Sequence, residues 1–197
     1  MSTLAAGLFP APDLPRDARW ALPDRPPRRA GESRVERAWG VLGSVADPEV
    51  PALSVVDLGL VREVVELGDG LAVVVTPTYS GCPATEVINA SIRQALEDDG
   101  LGPVEVSIRR SPAWTTDWLS DAGRERLQAY GIAPPGRCGD AALAPGDVPV
   151  RIMVRGVSCP RCGSAQTERL SAFGSTACKA LYRCLACHEP FEHFKPI

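Results

Sequence analysis

Charge of one sign is scarce in this sequence. Lys and Arg number 21 against 24 Asp and Glu, a formal net charge of -3. That balance excludes a function resting on bulk attraction to nucleic acid or to an anionic membrane surface. Long apolar runs are missing as well: none approaches the roughly 20 residues needed to cross a bilayer. The N-terminus has no basic segment followed by an apolar core of the kind that directs export, so a soluble, cytoplasmic protein with no membrane partner is expected. Histidine is nearly absent, with only His188 and His193 near the C-terminus. Everything before them lacks the commonest general base. Finally, the seven cysteines do not pair off, and four of them fall in two C-x-x-C pairs. A secreted disulfide framework is excluded, and metal ligation with free thiols is the better account.

What is present fits one ordinary domain and a small module: 197 residues, 45% of them apolar. Residues 151–197 carry seven Lys or Arg against three Glu, a net +4, while the rest of the chain has 14 against 21, a net -7. A basic C-terminal module on an acidic body suits an acidic partner surface.

Residues 1–32 are rich in Pro, Ala and Arg (APDLPRDARWALPDRPPRRAG) and show no apolar period, the composition of a disordered arm. Order is expected from Ser33, where S-R-V-E forms a capping box through Glu36. Val35, Ala38, Trp39, Leu42 and Val45 follow helical spacing, and Asp47-Pro48 stops the helix. LVREVVEL and LAVVVTP flank Gly-Asp-Gly and predict a β-hairpin over 60–77. Its second arm is apolar on both faces, as a central strand is. Ile88, Ile92, Ala95 and Leu96 predict a second helix ending at Gly100, VEVSIRR (104–110) a strand, and residues 120–130 a third helix. The expectation is an α/β domain over 33–132, with helices on a short mixed sheet, then a linker over 133–150 containing the spare thiol Cys138. A four-cysteine module over 151–197 follows.

In that module Cys159, Cys162, Cys184 and Cys187 stand as CPRC and CLAC, separated by a span long enough for a hairpin. Two such knuckles place four thiolates at the corners of a tetrahedron, the pattern of a zinc ribbon. A module this short cannot build a large core, so metal binding supplies much of its folding free energy, on the order of 10 kcal/mol for structural zinc. A closed four-thiolate site leaves no position for substrate, and iron or an Fe–S cluster is the minority alternative. Cys178, His188 and His193 lie close enough in sequence to compete as ligands. With four cysteines complete, Cys178 reads as a small buried hydrophobe and the histidines as packing or surface residues.

A second thiol stands in TPTYSGCPA (76–84), between Gly81 and Pro83 at the head of the second helix. From there a thiolate would be stabilised by the helix dipole and the Cys82 pKa would fall. Thr76 and Thr78 are placed to donate hydrogen bonds to it, although a threonine at a strand end also serves local backbone. A reactive thiol and an inert buried one both fit this spacing.

DPEVPALSVVDLGLVREV (47–64) followed by TPTYSGCPA resembles the small Fe–S-assembly domain family to which SufT-type proteins belong. The resemblance covers about residues 33–132. With CPRCGS, FGSTACKALYRC and EPFEHFKPI added, domain plus ribbon is similar to the D-type accessory proteins of the phenylacetyl-CoA epoxidase system of aerobic phenylacetate degradation. The resemblance implies a non-catalytic accessory factor that assists assembly or insertion of an iron or Fe–S centre in an oxygenase or reductase subunit. It implies that Cys82 transiently binds iron or a cluster, with Asp57 near the same surface as a second ligand or as the cap of the turn before LVREVVEL. Glu49 of D-P-E is a weaker candidate. The alternatives are a nucleic-acid-binding ribbon, which lacks an aromatic stacking platform, and a thiol enzyme, which lacks a base beside Cys82. Trp114 and Trp118 are expected to pack against the sheet.

Overall fold

The protein was analysed as a computed structural model that describes residues 20–79, 81–136 and 156–197. Cys138 lies outside them, as do most of the expected linker and the first part of the N-terminal arm. Helix α1 (Arg34–Leu42) starts where the capping box places it. The Ser33 hydroxyl accepts from the Glu36 amide at 3.2 Å, and the Glu36 carboxylate accepts from the Ser33 amide at 2.9 Å. Strands β1 (Val61–Leu67) and β2 (Gly70–Val75) form the hairpin, and β3 (Val104–Ile108) adds in parallel to β2. The order β1-β2-β3 puts β2 in the centre, which is why its sequence is apolar on both faces. Between β2 and β3 runs α2 (Thr85–Asp98), burying Ile88, Ile92 and Leu96. Helix α3 (Asp121–Tyr130) is capped by Ser120 and closed by Gly131 in the left-handed conformation.

The sheet of the C-terminal module is four-stranded, in the order β4-β7-β6-β5. Strands β5 (Thr167–Ser171), β6 (Lys179–Cys184) and β7 (Pro190–Phe194) are antiparallel neighbours within the module. Its outer strand β4 (Ile132–Ala133) straddles the expected boundary between α/β domain and linker and pairs in parallel with Glu192 and His193. The two modules interlock in a second way. Cys178 and Phe194 join the core of the α/β domain, where the Phe194 ring lies 6.3 Å from that of Trp114.

Residues 20–32 make contacts that their composition did not announce. Arg37 on α1 forms a bidentate pair with Asp99 at 2.7 and 2.6 Å and donates to the Pro26 carbonyl. Arg25 and Arg28 approach the same carboxylate, and the Trp20 ring meets Tyr130 edge-on at 5.0 Å. A proline-rich segment is held here by ion pairs and one ring contact rather than by a core of its own. Among the described residues no helix is long and apolar enough to cross a membrane.

Candidate functional site

Two groups of cysteines stand out. In the first, Cys159, Cys162, Cys184 and Cys187 place their sulfurs within 4.8 Å of one another. The Cys159–Cys187 and Cys162–Cys184 separations are 3.8 and 3.5 Å. A tetrahedron with metal–sulfur bonds of about 2.3 Å has edges of about 3.8 Å, and these two separations are close to it, so the four side chains are grouped as a zinc site requires. The knuckles are built alike. The Cys159 amide donates to Ser164 O at 2.9 Å and the Cys184 amide to Glu189 O at 3.0 Å, and each C-x-x-C is followed by a residue with positive φ, Gly163 at 74° and His188 at 64°. His188 is therefore the turn residue of its knuckle, in a conformation that glycine adopts more cheaply. The Cys187 amide aimed at the Cys184 sulfur lowers that thiol's pKa to about 6, whereas Cys187, where the Glu189 amide is outweighed by the Cys162 thiol, is raised to about 12. Zinc bound here supplies a cross-link between the two knuckles and closes a module with little core of its own.

The second group surrounds Cys82. The loop after β2 turns the side chain inward, half-buried, onto a small cavity of about 20 Å³. Leu58 and Leu60 of the D-L-G-L segment, Val75, Ile88 and Phe194 form apolar walls, and the polar lining is Asp47, Glu49, Thr78, Thr85, Asn89 and Cys178. Asp47 is fixed by the Glu49 and Val50 amides, which both donate to its Oδ1 at 2.9 and 2.8 Å. Thr85 opens α2 and donates its hydroxyl to the Cys82 carbonyl at 2.9 Å.

One expectation about this loop is corrected, and for Thr76 and Asp57 the structure takes the local-backbone and turn-cap alternatives. The Cys82 pKa is raised, not lowered. Burial is the main cause, opposed by the Ala84 amide, with the Glu49 carboxylate adding to it. The helix begins only at Thr85, and the sulfur, standing before it in a half-buried acidic setting, gains less from the dipole than desolvation costs. Thr76 does not serve the thiol: it is buried, and its amide closes the strand end on Leu60 O at 2.8 Å. Thr78 lines the cavity, and the hydroxyl interacting with the thiol is that of Thr85. Asp57 is not among the residues lining the cavity. Its carboxylate accepts from Ser54 N and Oγ at 3.1 and 2.8 Å, from Ser120 Oγ at 2.9 Å and from Arg126 at 2.6 Å. It caps the turn before β1 and ties that turn to α3. The adjacent Gly59 has φ of 64°, and a Cβ there would stand 2.6 Å from the Trp118 carbonyl oxygen. Trp118 in turn receives the Arg62 guanidinium 3.5 Å from its ring centroid.

The fold thus brings Cys82 together with Asp47 and Glu49, and adds Asn89 and Cys178, which sequence reasoning did not place there. The D-P-E segment was the one available signal for the carboxylates. Neither histidine lines the cavity; His193 lies against Tyr182, and burial lowers its pKa to about 4. A thiol nucleophile at Cys82 has no histidine base there. In the C-terminal module Arg161, Lys179 and Arg183 pair with Glu189, Glu192 and Glu168, so all three of its acidic residues are engaged and the net positive charge rests on its other four Lys and Arg.

Residues 36–108 match the family description "Iron-sulfur cluster assembly protein", and residues 151–195 match "PaaD zinc beta ribbon domain". The chain thus joins an assembly-type α/β domain to a zinc ribbon. It is 49% identical over 165 residues, 83% of its own length and 94% of the other's, to the Escherichia coli K12 protein named as the D-type component of 1,2-phenylacetyl-CoA epoxidase, and it belongs to that protein's family. The α/β domain is also similar to an Fe-S protein maturation auxiliary factor of Porphyromonas gingivalis, at 35% identity over 83 residues, covering 41% of this chain and 78% of the relative. Among solved structures, a domain of unknown function from Bacillus anthracis is 25% identical, with a TM-score of 0.45, covering 48% of this chain and 91% of that one.

Proposed function

We propose that this protein is an accessory maturation factor of the phenylacetyl-CoA epoxidase system, acting in the cytoplasm to assist assembly or insertion of an iron or Fe–S centre in an oxygenase or reductase subunit. The observation that carries this reading is Cys82 itself, the free thiol of the assembly-type domain, turned onto a cavity beside two carboxylates. Its relatives support the direction: one is named for a component of the epoxidase and another for Fe-S protein maturation. Cys82 is the metal-handling group in this account. Its raised pKa keeps it a neutral thiol until a cation arrives to displace the proton. Asp57, Gly59 and Trp118 hold the turn before β1, whose Leu58 and Leu60 wall the cavity, and the zinc ribbon is the structural and docking element.

Replacing Cys82 with Ser in a host that produces the complete epoxidase tests the role. The fold and the zinc content should be unchanged, and production of active epoxidase should be lost. Full epoxidase activity with the Ser variant would overturn the assignment.

A further inference from the structure

Phe173, in the loop between β5 and β6, is the most exposed large apolar side chain among the described residues, at 65%. Leu170, three residues earlier, is 50% exposed. A ring left in water adds little to the fold, yet the turn that carries it is tightly fixed. The Phe173 amide donates to Ser171 Oγ at 3.1 Å and the Gly174 amide to Lys179 O at 2.7 Å. The Ser175 amide donates to Glu192 Oε1, and the other oxygen of that carboxylate pairs with the buried Lys179 ammonium at 2.9 Å. A Cβ on Gly174 would stand 2.5 Å from Glu192 Oε1, so a side chain there would push the carboxylate off both partners. The far end of the same loop is Cys178, which lines the cavity of Cys82.

The cations beside this turn lack counter-charge. Lys195 sets its ammonium 4.6 Å from the Phe173 ring centroid and donates to Ala172 O at 3.3 Å. Neither Lys195 nor Arg169, the neighbour of Leu170, pairs with a carboxylate among the described residues, and the three acids of the module are held by other cations. The border of β5 does not invite an added strand, because its register slips between Arg169 and Ser171. One ring with a cation already on it is not a stacking platform for bases. Two apolar side chains on a chain whose other 150 residues carry a net -7 also make a poor membrane anchor.

We propose that Phe173, with Leu170, is the anchor by which the ribbon docks on a protein partner whose surface offers an apolar pocket edged by Asp or Glu, those carboxylates facing Lys195 and Arg169. The inference rests on the maturation reading above, which requires a client, and names the surface that meets it. Because the turn is ordered before the partner arrives, docking costs little further freedom. The Lys195 amide donates to Cys178 O at 2.9 Å, which ties the anchor to the wall of the Cys82 cavity and brings a docked client to that side of the molecule.

The full-length, zinc-loaded chain, immobilised and titrated separately with the purified oxygenase component and the purified reductase component of the epoxidase, tests the surface. Wild type should bind one of the two. Phe173→Ala should bind it about 30-fold more weakly or worse, as loss of a central anchor does. Lys195→Gln and Arg169→Gln should each weaken it about 3-fold and flatten its dependence on salt, with zinc content unchanged in all three. Wild-type affinity in Phe173→Ala, or no binding of either component by the wild type, overturns the docking surface. So does Phe173-dependent binding to phosphatidylglycerol vesicles or to a single-stranded oligonucleotide. Should Phe173→Ala lose zinc, the two Gln variants decide, and unchanged affinity in both overturns it. A Phe173-dependent complex beside a Cys82→Ser variant that still yields active epoxidase would keep the surface and remove the maturation role.

Discussion

In the α/β domain Val41, Leu42, Val73, Ile92, Leu96 and Leu127 share one continuous core, whereas among the described residues the cluster proper to the C-terminal module buries only Ala133, Cys159, Cys184 and Phe191. Two of those four are metal ligands, and Ala133 reaches the cluster from β4, outside the module. Phe194, the module's most deeply buried large side chain, packs into the other domain. One region is held by hydrophobic burial and the other by a metal and by its neighbour. The difference teaches that the ribbon is a dependent part, ordered by zinc on one side and by the α/β domain on the other.

Chelation should divide the two regions most sharply. Removing a structural zinc forfeits on the order of 10 kcal/mol, so residues 156–197 should become open to protease and hydrogen exchange while α1, α2 and β1–β3 stay protected. Simultaneous loss of both regions would break the comparison. Next in size, Phe194→Ala should cost about 4 kcal/mol. It should also speed alkylation of Cys82, because Phe194 walls the cavity; a stability loss without faster alkylation would mean that the contact does not seal the site. Ser33→Ala removes a cap far from the ribbon and should destabilise the α/β domain by about 1 kcal/mol, leaving zinc affinity unchanged in a competition titration. The smallest change should be a gain: His188→Gly relieves a left-handed residue in the second knuckle and should stabilise the ribbon against chelator by about 1 kcal/mol, with no effect on the α/β domain.

The elements were legible because local rules fix them. The capping box at Ser33, the Gly-Asp-Gly reversal, the Ser120 and Gly131 caps and the two C-x-x-C pairs each act within a few residues. The site was only partly legible. Cys82 drew notice from its own loop, but its pKa direction depends on burial and on Glu49 and Asp47, which come from the segment between α1 and β1. Asp57 read as a ligand or a turn cap while Asp47 read only as part of a helix stop, and only the tertiary contact with Arg126 and Ser120 shows Asp57 engaged away from the thiol. Cys178 was read as a buried hydrophobe, and it is buried; no periodicity in its own strand says that the burial occurs in another module. Long-range convergence of single side chains leaves no local pattern to read.

The pairing of β4 with β7 bears on any attempt to take the molecule apart. A fragment beginning at residue 151 would keep all four zinc ligands but lose Ile132 and Ala133, leaving the backbone of Glu192 and His193 uncovered. A bare strand border is a template for a second copy. The ribbon made alone should therefore associate with itself through that border as its concentration rises, and a dimer found in such a fragment would report the missing two residues, not an assembly of the intact chain.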